Sequence, residues 1–101
     1  MKKIDDIVKE HIPTLAVFMH AGTQDAGEVK HLVEELKSKY DGKARIERVD
    51  DSFDGELKLK YKIREYPTYI LFKEGQELMR ESGRKSEAEL EDMLVRALSN
   101  Y

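Results

Sequence analysis

A chain of 101 residues, 40% hydrophobic and 39% charged, is the size of one compact domain, long enough for a single core and too short for two. Its 18 basic and 21 acidic residues are dispersed and leave a formal charge of −3, so no basic stripe offers phosphate contacts and nucleic acid is not an expected partner. It contains no cysteine, which excludes disulfides, cysteine-ligated zinc and thiol catalysis together.

Ile4, Ile7 and Val8 fall at helical spacing and predict a short helix within residues 1–10, before Pro13, which disfavours helix for the residue preceding it. Residues 14–19, TLAVFM, form a continuous apolar run rich in strand formers, as expected of a central strand covered on both faces. The apolar run over 12–19 is too short to cross a bilayer, and Asp5, Asp6 and Glu10 precede it where a secretion signal carries only positive charge. These features predict a soluble cytoplasmic chain with no membrane partner. Residues 20–27 read as a loop, after which Val29, Leu32, Val33, Leu36 and Tyr40 make one helical stripe. Asp25 with Glu28 resembles a capping box at that helix's start, and Gly42 fits its stop.

Residues 43–50 alternate imperfectly and carry charge within a strand, the pattern of a sheet edge. Phe53, Leu57 and Tyr61 are spaced to share one face of a short helix over 53–61. Residues 68–72 and 77–81 flank a Gly-containing connection, Lys73-Glu74-Gly75-Gln76, suited to a hairpin of antiparallel strands. Ser86 with Glu89 forms the S-x-x-E capping pattern, and Leu90, Met93, Leu94, Ala97 and Leu98 make the apolar stripe of a last helix. A strand–helix–strand unit demands a right-handed parallel crossover, to which the hairpin adds two antiparallel strands. The expectation is an α/β protein: a three-layer α/β/α sandwich with a four-stranded mixed sheet in the order 2-1-3-4, in a single domain over 1–101.

Residues 61–75, YKIREYPTYILFKEG, the run KYDGK at 39–43 and Gly83 before the last helix resemble the thioredoxin family, with matching spacing from about residue 15 to residue 98. The resemblance implies the thioredoxin-like fold, with the family's first edge strand missing before Pro13 and residues 43–50 exposed as a new edge. In that family a Trp-Cys-Gly-Pro-Cys motif sits between the central strand and the long helix; the matching residues here are Gly22, Thr23, Gln24, Asp25 and Ala26. The family's buried acid corresponds to Val17, and its tryptophan to Gly22. The family chemistry needs a nucleophilic thiolate and a resolving thiol, and Thr23 and Ala26 supply neither. Four features of the active centre are replaced together.

The resemblance further implies that Pro67 is cis and that the backbone of Tyr66 pairs with an extended peptide, a contact that needs no thiol. The expected function is a redox-inactive, non-catalytic module that binds a protein or extended peptide. Its groove would be formed by the vestigial loop from Gly22 through Ala26 with Tyr66, Pro67 and Gly83, and Met19 and Tyr66 would supply apolar contact. The alternatives are a thioredoxin-fold enzyme acting on glutathione or a partner thiol, with Thr23 as hydrogen-bond donor, or a protein that shares with thioredoxin only its family label. Against the enzyme, the chain lacks the helical second domain of the glutathione-using transferases. No cofactor is expected. His11, His20 and His31 lack the spacing of a helical metal site, so surface histidines are expected, and His20 near the loop has no nucleophile to serve as a base. Asp50, Asp51 and Asp54 depart from a calcium-loop pattern and read as a solvated, capping turn.

Overall fold

All six residues of β1 (Thr14–Met19) are buried, as a strand with apolar side chains on both sides must be when helices cover both. The computed structural model describes residues 4–9, 11–20, 22, 26–50 and 56–100, the side chains of residues 5 and 100 excepted. Around β1 it arranges α1 (Ile4–Ile7), α2 (Ala26–Lys39), β2 (Arg45–Asp50), α3 (Glu56–Lys60), β3 (Thr68–Lys73), β4 (Gln76–Ser82) and α4 (Glu87–Asn100). β1 pairs in parallel with β2, in register from Thr14 opposite Arg45 to Met19 opposite Asp50. Its other side pairs antiparallel with β3, which pairs antiparallel with β4, so the sheet order is β2-β1-β3-β4 with β2 at one edge. This is the mixed four-stranded order read from the sequence.

Alternation along β1 splits the interior into two layers. Leu15, Val17 and Met19 pack with Val33 and Leu36 of α2 and with Leu90 and Leu94 of α4. Ala16 and Phe18 face the other way, with Val8, Ile63, Ile70 and Phe72, and Leu57 of α3 closes over them. Phe18, Tyr61 and Phe72 form an aromatic chain there, with ring centroids 5.2 and 5.7 Å apart. Helices therefore cover both faces of the sheet.

The helix ends follow local chemistry. The Ser86 hydroxyl accepts the Glu89 amide at 3.2 Å while the Ser86 amide donates to the Glu89 carboxylate at 3.0 Å, the reciprocal bonds of a capping box at the start of α4. Beyond α2, Gly42 takes φ +82, and the amides of Lys43 and Ala44 both donate to the Tyr40 carbonyl. Residues 43–44 thus belong to the turn that ends α2, and β2 begins two residues later than the alternation alone suggested. The helix expected over 53–61 is seen as Glu56–Lys60; Phe53 lies outside the described residues, while Leu57 and Tyr61 do share the buried side.

Candidate functional site

Three connections converge at one end of the sheet: the loop from β1 to α2, the approach to β3, and the exit from β4. The Tyr66–Pro67 peptide bond is cis, Pro67 is buried, and the Pro67 carbonyl accepts the Gly83 amide at 2.9 Å. Gly83 has φ +85, a conformation open to glycine and strained for residues with a Cβ. Thr68, 1% exposed, turns its hydroxyl back to the Glu65 carbonyl at 2.7 Å, so the residues flanking Tyr66 and Pro67 are held from both sides.

The β1–α2 connection reaches the same place through His20. Its ring lies 5.7 Å from that of Tyr66 at an interplanar angle of 58°, and the Lys58 ammonium sits 5.9 Å over the Tyr66 ring from the α3 side. The Gly22 amide donates to His20 Nδ1 at 3.1 Å, which requires a ring with Nδ1 unprotonated. A Cβ on Gly22 would stand 3.2 Å from that nitrogen, so a bulky side chain here would displace the imidazole. Gly22 is thus linked to Tyr66 through the His20 ring, and Gly83 to Pro67 by its amide; Ala26 opens α2, packed on the larger core. Thr23, Gln24 and Asp25 lie outside the described residues.

One expectation needs correction. Met19 is 2% exposed and packs among the core residues of the α2 and α4 side, so it offers no surface to a bound segment. Glu28 accepts Arg84 Nη2 on both carboxylate oxygens at 2.9 Å; the capping box read from Asp25 and Glu28 falls outside the described residues, because Asp25 does. The Arg84–Glu28 pair ties the segment after Gly83 to the first turn of α2. The His20–Tyr66 contact was also missed; aromatic character at residues 20 and 66 is its only sequence signal, and Arg84 carries none.

Val17 is fully buried with Leu15 and Met19, where an uncharged side chain needs no partner. Among the described residues no group of three His, Cys, Asp or Glu side chains is placed to hold a metal ion, and no helix is long and apolar enough to cross a membrane.

The thioredoxin family profile matches residues 5–96. The chain belongs to the thioredoxin family. A curated relative in this family, Thioredoxin C-2 of Corynebacterium nephridii, is 28% identical over 78 residues, covering 77% of this chain and 72% of that protein. A mutant thioredoxin from Halobacterium salinarum NRC-1 superposes with a TM-score of 0.83, over 95% of this chain and 83% of that one, at 23% identity; that likeness is one of fold. Thioredoxin dithiol exchange passes through a thiolate and a mixed disulfide, and with no cysteine in its 101 residues this thioredoxin-family chain has no group to carry that step.

Proposed function

We propose that the chain is a redox-inactive binding module of the thioredoxin family, which holds an extended protein segment along the groove at Gly22, Tyr66, Pro67 and Gly83. The binding is reversible, uses backbone pairing at Tyr66 and apolar contact with its ring, and passes through no covalent step. The observation that carries this reading is the convergence of three loops around a half-buried tyrosine in a chain without cysteine. Loops held on a rigid scaffold are where binding residues concentrate.

The test is a selection of random heptapeptides on the immobilised protein in reducing buffer. Enriched peptides are expected to bind the native chain and to weaken about tenfold or more with Gly22→Arg or Tyr66→Ser, a loss of at least about 1.4 kcal/mol, while both variants keep cooperative thermal melts. No enrichment, or binding indifferent to both substitutions, overturns the groove. Displacement of the peptides by millimolar glutathione would move the reading to an enzyme or carrier for a thiol ligand.

A further inference from the structure

Beside the groove, on the α3 face of the sheet, lies an open depression of about 410 Å³ lined by Lys62, Arg64, Glu77, Arg80 and Ser82. Three cationic side chains face one anionic one, in a chain whose overall charge is −3. Arg80 uses four of its five N–H donors. It donates to both oxygens of Glu77 at 2.9 and 3.0 Å, to the Tyr61 carbonyl at 2.8 Å and to the Lys62 carbonyl at 3.1 Å. The Glu77 charge is thereby balanced, and its carboxyl is held below the usual range by the Arg80 hydrogen bonds. The side chains of Lys62 and Arg64 are exposed and have no partner among the described residues.

The backbone under this charge is unusual. After α3 the Ile63 amide donates to the Lys58 carbonyl at 2.8 Å and the Lys62 amide to the Leu59 carbonyl at 3.4 Å, which is the bonding of a Schellman stop. Lys62 occupies the left-handed position of that motif, at φ +56, where glycine is the common residue. A residue with a side chain is strained there, and an outlier of this kind motivates a search for what the side chain does. Arg80 clamps the two carbonyls of the turn, so the Lys62 ammonium stands on a fixed base.

The depression adjoins the groove directly. Ser82 pairs with Thr68 across the β3–β4 ladder, their hydroxyls 3.3 Å apart; the next residue, Gly83, bonds the Pro67 carbonyl; and Arg64 precedes Tyr66 by two residues. An extended segment turns every second side chain to the same side, about 7 Å apart, so those of its side chains that face the depression fall at alternate positions.

We infer that the segment taken by the groove is acidic at alternate positions, its carboxylates received by Lys62 and Arg64 with the Ser82 hydroxyl as a neutral donor. This rests on the groove reading and names the chemistry of its occupant. The probes are one heptapeptide enriched in the selection above, remade with Glu, Ser or Lys at alternate positions and labelled for fluorescence anisotropy. The Glu peptide is expected to bind about tenfold tighter than the Ser peptide at low salt, with the Lys peptide weakest and the preference fading as salt screens the charges. Arg64→Gln and Lys62→Gly are expected to bind the Glu and Ser peptides equally. Lys62→Gly also separates site from scaffold, because relief of the turn raises its thermal midpoint while the acidic preference disappears; a raised midpoint with the preference intact overturns the inference. Equal binding of the Glu and Ser peptides by the native chain overturns it too and leaves the groove standing, whereas failure to enrich any peptide removes both. Inorganic phosphate that displaces the Glu peptide while sparing the Ser peptide supports the cationic seat. A Glu preference that survives Gly22→Arg, in contrast, makes the depression an anion site separate from the groove and overturns the joint segment.

Discussion

Glu89 acts twice at the start of α4, as the acceptor for the Ser86 amide and as a negative charge in the helix's first turn. Its carboxyl is held below the ordinary range chiefly by that backbone hydrogen bond, and Glu77 and Glu91 are depressed likewise by hydrogen bonds from Arg80 and Lys39. The unfolded chain takes up these protons near the free glutamate value of about 4.3, above the folded values. Stability from the three carboxylates is therefore complete above that value and is lost as pH falls through the lowered folded ones, so stability rises with pH across the window. Urea midpoints followed by circular dichroism from about pH 5 down to about pH 3 are expected to fall. Glu89→Gln, which keeps a side-chain acceptor at the cap, is expected to flatten that slope; an unchanged slope would assign the acid sensitivity elsewhere. Ser86→Ala removes the reciprocal acceptor and is expected to cost about 1 kcal/mol at neutral pH.

At the scale of elements, α4 is fastened by more than its cap. Leu90, Leu94 and Ala97 are fully buried, and Lys39 at the end of α2 pairs with Glu87 and Glu91 while Tyr40 donates to Glu91 at 3.1 Å. Leu94→Ala is expected to destabilise by about 3 kcal/mol through lost burial and the cavity left behind, whereas Val95→Ala, at a half-exposed site, is expected to stay within about 0.5 kcal/mol; chemical denaturation of both variants tests the orientation of the helix. That orientation was legible in the sequence because Leu90, Met93, Leu94 and Ala97 repeat at the helical period and Ser86 and Glu89 stand three apart, whereas Leu98, read on the same stripe, is 40% exposed at the helix's end. The central strand and the hairpin were legible for the same reason, each being a local signal. Met19 was misjudged because a run apolar at every position does not say which residue reaches the surface. The Arg84–Glu28 tie joins residues 56 apart in sequence, and the basic depression is assembled from the turn after α3 and from β4. No local pattern announces either. Lys62 at a left-handed stop is hidden further, since a glycine there would have marked the turn and a lysine does not.

For the molecule as a whole, thioredoxin-family architecture persists here without a cysteine, with the three loops at the end of the sheet still tied to one another by Gly83, His20 and Arg84. A further tie, made by Arg80, has a reach that static geometry understates. β4 is the outer strand of the sheet beyond β3, the place where amides open most readily to solvent. Arg80 of β4 grips the carbonyls of Tyr61 and Lys62, so opening of that strand must also release the turn that carries Lys62. Local opening of the outer strand and integrity of the cationic seat are one equilibrium, and a ligand that binds only the closed form slows the opening in proportion to its occupancy. Native-state deuterium exchange is thus expected to report an acidic segment through amides of the β4 strand that the segment never touches, and Arg80→Ala is expected to uncouple the two, leaving a strand that exchanges at the same rate with the peptide present or absent.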